Sequence, residues 1–172
     1  EYFGGGMGSI VFQTLRESKA LAYSVYSAYS TPRTDDKSHY VTAYIGAQSD
    51  KLGEAMVGMN ELLTTLPVVE ANLENAKDAV LQKIRTERIT KDRVLFSYES
   101  AKKLGYDYDK RKDVYDNIDN FEMENLQDFH NNHMSGNEYS ILVLGNKDDL
   151  DMKALKGYGE VKFLSLEDIF GY

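Results

Sequence analysis

The stretch Ser9–Ser30, SIVFQTLRESKALAYSVYSAYS, decides the fold because it joins a helix pattern to a strand pattern across a short turn. Its first half, Ser9 to Lys19, spaces its apolar residues as in a helix of about three turns. Its second half, Ala22 to Ser30, nearly alternates large strand-forming residues with small ones, which predicts a strand. A polar, turn-rich segment and a second run of strand formers, Tyr40–Ala47, follow. The sequence therefore predicts a helix followed along the chain by an antiparallel hairpin.

Helices are predicted over most of the remaining chain. From about Asp50 to Pro67, apolar residues recur at i, i+3, i+4 and i+7, so one helix face is buried and Pro67 ends the helix. A second helix contains Leu73 to Ile84, and a third contains Val94 to Leu104 and is closed by Gly105. Further helices are predicted at Lys112–Asn117, Glu122–His133 and Leu150–Leu155, and strands at Tyr139–Gly145 and Val161–Leu164. A last helix is predicted after Ser165, which has the spacing of a capping box with Asp168.

Successive helices, without strict strand–helix alternation, favour an α+β fold over a parallel doubly wound sheet. The most apolar strand pattern is Tyr139–Gly145, YSILVLG, and we expect it to lie at the centre of the sheet. The predicted architecture is an antiparallel sheet with helices packed on one face. At 172 residues and 42% hydrophobic content, the chain has the size of one domain, so we expect residues 1–172 to form a single domain.

Composition excludes several classes of function. The net charge of −8 opposes binding to phosphate backbones, so nucleic acid is not an expected partner. No apolar run approaches the roughly 18–20 residues of a membrane span. The absence of cysteine excludes disulfides and thiolate metal sites.

The histidines and glycines have structural interpretations that we favour. His130 and His133, in the run HNNH, are spaced i, i+3, whereas the inverzincin pattern needs i, i+4 with a Glu directly before the second His. Asn132 stands in that place, and His39 lies alone before a strand. The run Gly4–Gly6 matches no phosphate-binding fingerprint, so we expect it to break a helix and let two segments pack closely.

Arg16 and Tyr23 form the candidate site. The predicted helix places a guanidinium near its end, and the following strand places a phenol at its start. A helix-to-strand turn can bring both tips to one spot, where a charged fork donor and a neutral O–H donor suit a peptide carbonyl and a developing oxyanion. The alternative is a surface salt bridge from Arg16 to Glu17 or Asp35.

The segment EYFGGGMGSIVFQTLRESKALAYSVYSAY, residues 1–29, resembles the signature of the C-terminal domains of insulinase-type (pitrilysin) zinc metallopeptidases, a family that includes mitochondrial processing peptidase. Its core is Arg16, followed seven residues later by Tyr23, in an R-E-x-x-x-L-A-Y context. The runs YIGAQSDKLGEAM and LSLEDIFGY are also similar to the family, the latter to the ends of large bacterial members. Gly8 departs from the signature, where Ser is common.

The resemblance implies a two-part enzyme. An N-terminal catalytic domain or subunit would carry H-x-x-E-H and bind zinc, and this C-terminal part would hold no cofactor of its own. The two would enclose a chamber for a peptide substrate, in which Arg16 orients the substrate or the phenol, and Tyr23 hydrogen-bonds the scissile carbonyl oxygen.

Two features qualify that expectation. No H-x-x-E-H occurs, so the chain alone is expected to hydrolyse nothing. Glu1 stands inside the signature, so we expect a fragment of a longer chain that lacks an opening strand and helix and has an N-terminally incomplete sheet. The alternative function is a non-enzymatic structural or peptide-binding subunit of the same fold.

Overall fold

The computed structural model describes all residues, 1–172, as an α+β arrangement built on one two-stranded antiparallel sheet. Strands β1 (Ser24–Ser30) and β2 (Tyr40–Gly46) pair in a register that runs from Ser24 opposite Gly46 to Ser30 opposite Tyr40. The predicted hairpin is therefore confirmed, with each strand slightly shorter than expected. On β1, Val25 and Ser27 are buried while the residues between and beside them are exposed, as period-two alternation requires.

Seven α-helices follow the hairpin. They are α1 (Leu52–Thr64), α2 (Glu70–Thr86), α3 (Arg93–Lys103), α4 (Arg111–Asn117), α5 (Met123–His133), α6 (Met152–Tyr158) and α7 (Leu166–Phe170). Each corresponds to a predicted helix. Short 3₁₀ turns occur at Ser49–Lys51, Ile118–Asn120 and Lys147–Asp149. No helix combines the length and apolar character that crossing a membrane requires.

The first predicted helix is present but is wound differently. Helical Ile10 and Val11 lead into a π-helix, Phe12–Ser18, a form with i→i+5 hydrogen bonds. At its end the Lys19 N–H donates to the Thr14 carbonyl oxygen, five residues back, at 3.0 Å. Apolar spacing over two or three turns does not separate this winding from an α-helix, so the sequence could not predict it.

The core lies where the π-helix, β1 and α1 meet, and its most enclosed side chains are Val11 and Leu15. Tyr2 fastens the link between α1 and α2 from within this core. Its O–H donates to the Pro67 carbonyl oxygen at 2.6 Å and accepts from the Val69 N–H at 3.0 Å. One buried side chain thereby satisfies two backbone groups where the chain leaves one helix and enters the next.

Gly4 confirms the expected close approach of two segments. The Ser27 N–H donates to the Gly4 carbonyl oxygen at 3.2 Å. A Cβ at Gly4 would lie 2.4 Å from the backbone nitrogen and oxygen of Ser27. No side chain can therefore stand there without moving β1.

Two predicted strands are absent. Residues 139–145 and 161–164 have no ladder partner and remain extended or irregular. Leu142 and Leu144 in the first segment are 83% and 101% exposed. The expectation that Tyr139–Gly145 is the central strand is thus wrong for this structure, and the last predicted strand, Val161–Leu164, is wrong as well. A strand needs a neighbour that supplies hydrogen-bond partners, and an apolar run does not show whether that neighbour is present.

The helix α3 also differs from its prediction in one respect. Its bounds agree, and Gly105 follows it with a φ of 80°, a conformation suited to glycine at a helix end. However, no α3 residue is buried, and Val94, Leu95 and Tyr98 all face solvent. The apolar stripe of α3 is real in the sequence but has no partner in the structure.

Candidate functional site

A short turn joins Arg16, in the last turn of the π-helix, to Tyr23, which directly precedes β1. Both side chains are exposed, and no hydrogen bond or ion pair joins them. The structure therefore places the two predicted residues at the two ends of one turn but does not couple them directly.

Arg16 has two weak local partners. Its Nε lies 3.8 Å from the Glu17 carboxylate, and its guanidinium carbon lies 4.8 Å from the centre of the Phe12 ring. The predicted alternative pair with Glu17 is thus present, whereas Asp35 is not a partner. Both members of the pair are about half exposed, so it contributes at most roughly 1 kcal/mol and leaves the guanidinium donors available.

Tyr23 is fixed through its backbone and open at its side chain. Its N–H donates to the Gly46 carbonyl oxygen at 2.8 Å, which extends the hairpin by one hydrogen bond beyond β1. The side chain is 65% exposed and its O–H has no partner. A phenol held in this way is a free hydrogen-bond donor on a defined backbone.

The base of the turn is anchored in the core. Leu15 and Leu21 are both buried, and the Leu21 N–H donates to the Leu15 carbonyl oxygen at 2.8 Å. Lys19, between them, places its Nζ 3.1 Å from the Glu61 carboxylate on α1. The buried leucines hold the base of the turn, while Arg16 and Tyr23 remain at the surface.

Ala20 takes an uncommon backbone conformation within the turn. Its φ is 50°, in the left-handed region, and it is the one non-glycine residue of the chain with a positive φ. For a residue with a Cβ this conformation costs on the order of 1 kcal/mol. The hydrogen bond at Leu21 and the burial of its side chain accompany that conformation, so the turn is held in one shape despite the cost.

The histidines do not form a metal site. His130 is buried with its Nε2–H 3.2 Å from the Leu62 carbonyl oxygen, while His133 packs against Phe129 and His39 stacks on Tyr29. No group of three or more His, Cys, Asp or Glu side chains is placed to hold an ion. The side chains of this chain therefore form no cluster that could hold zinc. The resemblance assigns the zinc to the partner.

The densest ionic cluster lies away from the turn, between α2 and α4. Arg111 contacts Asp109 at 2.5 Å and Glu87 at 3.1 Å. Its hydrogen bonds lower the pKa of Asp109 below the usual range. Opposite charges in this cluster satisfy each other, so it serves to join the two helices.

The turn can do limited but specific chemistry. A guanidinium offers several planar donors and permanent charge, and a phenol offers one neutral donor. Neither is a nucleophile or a base at neutral pH without activation, and the Glu17 carboxylate beside Arg16 is engaged as its ion-pair partner at 3.8 Å. The pair can therefore bind and polarise a carbonyl group but cannot by itself supply attacking water.

Two comparisons relate the chain to known proteins. Residues 1–87 match the family model of the Peptidase M16 inactive domain. A protein of Bacillus subtilis (strain 168), described as uncharacterized zinc protease YmxG, is 38% identical over 78 residues. Those residues make up 44% of this chain and 18% of the relative, so the matched part spans about a fifth of that protein's length.

Sequence reasoning missed two residues that shape the turn, Ala20 and Gly58. Alanine carries no signal for a left-handed conformation, so Ala20 could not have been found. Gly58 lies inside α1, where glycine costs about 1 kcal/mol relative to alanine. That unfavourable choice is a signal of close packing, and the structure shows the contact: Leu15 fills the space where a Cβ would be.

Proposed function

Because this chain belongs to the M16 (insulinase) peptidase family, as its inactive domain, we propose that it serves a zinc metalloendopeptidase as the substrate-contacting, non-catalytic C-terminal part. In this proposal it completes a chamber with a zinc-binding N-terminal domain or subunit. Arg16 and Tyr23 reach the peptide bond that the partner hydrolyses. The observation that carries the proposal is the anchored turn, which presents two exposed donors.

The division of labour follows from the donors that are present. Zinc, when bound by the partner, supplies the activated water and Lewis acidity of hydrolysis. This chain supplies hydrogen-bond donors to the carbonyl group and backbone of the substrate peptide. The Tyr23 O–H donates to the scissile carbonyl oxygen, and this hydrogen bond strengthens as that oxygen gains charge. The Arg16 guanidinium, with several donors in one plane, orients the peptide backbone.

The exposed area of the chain supports a large partner surface. The chain exposes 12546 Å², whereas a folded monomer of this mass exposes about 8,500 Å². The excess is about 4,000 Å², which is more than the roughly 1,000–2,500 Å² that one partner contributes to an obligate interface. Unpartnered apolar side chains on α3 and in residues 139–145 contribute to it. A catalytic domain packed against this chain would cover a large part of this surface.

The proposal is tested by Tyr23→Phe in the complete peptidase, with a peptide substrate. Loss of one oxyanion donor lowers kcat by about 10²–10³-fold, or roughly 2.7–4 kcal/mol. The matched control is Tyr26→Phe, since Tyr26 is also exposed on the same hairpin but stacks on Tyr44 without a hydrogen bond. Turnover in Tyr23→Phe equal to that of the control would remove Tyr23 from the reaction and favour a purely structural or peptide-binding role for this chain.

A further inference from the structure

The α1 helix contacts the base of the Arg16–Tyr23 turn at Gly58. A Cβ at this position would lie 2.7 Å from Leu15 Cδ2 and 3.7 Å from Leu21 Cδ1. Ordinary contacts of a Cβ begin at 3.4 Å, so Leu15 would have to move by about 0.7 Å to admit a methyl group. The absence of a side chain at Gly58 is therefore what lets α1 and the π-helix pack at their present separation.

The clashing atom is a terminal methyl group, but Leu15 has no exposed direction into which it could turn. It is fully buried in the core, where neighbouring side chains surround it. Close-packed interiors transmit such strain instead of absorbing it. The displacement would pass to the backbone of the π-helix, whose next residue is Arg16.

The second end of the turn is coupled to the first. The Leu21 N–H donates to the Leu15 carbonyl oxygen at 2.8 Å, and Leu21 stands two residues before Tyr23. A shift of Leu15 thus changes the position of both donors together. The Lys19–Glu61 ion pair is exposed on the same side of α1 and is too weak to hold the turn alone.

We propose that Gly58 is a positioning residue for Arg16 and Tyr23, which sets where the turn presents their donors through Leu15 and Leu21. The inference rests on the proposed function of these two residues. A glycine inside a helix costs stability relative to alanine, and the tight contact with Leu15 supplies a reason for it. Because misplacing the reacting groups by about 1 Å can lower the reaction rate on the order of 10²-fold, a smaller shift is enough to affect turnover.

The test substitutes Gly58→Ala in the complete peptidase and compares it with Gly157→Ala. Gly157 lies in α6, and a Cβ there would meet nothing within 4 Å. We expect Gly58→Ala to lower kcat by about tenfold, with a smaller change in KM. The loss is expected to be smaller than the roughly 10²-fold loss that follows a misplacement of about 1 Å, because the shift is below about 1 Å. Gly157→Ala should change neither. Adding Leu15→Val to Gly58→Ala removes the clashing methyl and should restore most of the lost turnover.

Hydrogen exchange supplies a readout that does not depend on activity. The amides of Leu21 and Tyr23 donate to Leu15 and Gly46, and both should exchange faster in Gly58→Ala and return toward the original rates in the double variant. Unchanged exchange at these amides overturns the inference, even if kcat falls. Faster exchange in Gly58→Ala, with Tyr23→Phe fully active, would refute the proposed role of Tyr23 and still support Gly58 as the residue that places the turn.

Discussion

Replacing Tyr2 by phenylalanine removes one oxygen atom and two hydrogen bonds from the α1–α2 junction. The Tyr2 ring lies in the core next to the π-helix, and its O–H bridges the Pro67 carbonyl oxygen and the Val69 N–H. Phenylalanine keeps the ring and therefore the packing. The change isolates the two hydrogen bonds.

The expected cost follows from those contacts. A net intramolecular hydrogen bond contributes about 0.5–1.5 kcal/mol, and a buried group left unsatisfied costs somewhat more. Pro67 is half-buried and Val69 is exposed, so water can replace the second bond more easily than the first. We expect Tyr2→Phe to lower the local free energy of unfolding by about 2 kcal/mol.

Native-state hydrogen exchange is the suitable assay because it gives the free energy of local opening amide by amide. The expected loss is at amides of α1 and of the first turns of α2. Tyr139→Phe is a graded comparison, since the Tyr139 O–H makes one hydrogen bond, to Met134 at 2.8 Å. Tyr98→Phe is the control, because Tyr98 is exposed and makes none.

The three variants should therefore rank in order of bonds removed, with Tyr139→Phe at about half the loss of Tyr2→Phe and Tyr98→Phe near zero. A Tyr2→Phe variant that exchanges like Tyr98→Phe would refute the reasoning. It would show that the two backbone groups at the α1–α2 junction find water as readily as the phenol.

Two further outcomes are expected. Burial raises the pKa of Tyr2 above its ordinary value, and the Val69 N–H opposes this shift. The neutral phenol is therefore favoured in the folded state. Its contribution to stability is complete below about pH 10 and is lost as pH rises through the raised pKa. The free energy of unfolding in urea should therefore fall more steeply with rising pH for the native protein than for Tyr2→Phe. Equal slopes would contradict this. Gly4→Ala should cost about 1–3 kcal/mol, since its Cβ would meet backbone atoms of Ser27, whereas Gly8→Ala, with nothing within 4 Å, should cost far less in the same measurement.

The helices were predictable from the sequence because their signals are local. Apolar spacing, a helix-ending proline and the pair Ser165 and Asp168 each act within a few residues. The structure shows the reciprocal capping box formed by that pair at α7. The hairpin was predictable for the same reason, since its two strands are neighbours along the chain.

The unpaired segments could not be predicted because pairing is not a local property. Tyr139–Gly145 has the composition of a central strand, and its composition is the same whether or not a neighbour is present. The same limit applies to α3, whose apolar stripe predicts a buried face without showing what covers it. In the candidate site, Arg16 and Tyr23 could be named from their motif, but the contact of Gly58 with Leu15 joins residues distant in sequence.

The exposure of Tyr23 has a consequence for when it can act. A phenol in open water already donates to water, so transfer of that hydrogen bond to a carbonyl oxygen contributes little. The same donor contributes several kcal/mol when the site excludes water and the donor is held in place. The anchored turn supplies the second condition, through Leu15, Leu21 and the Gly46 carbonyl. The first condition has to come from a surface that covers the turn, so in this proposal the contribution of Tyr23 arises only in the assembled chamber.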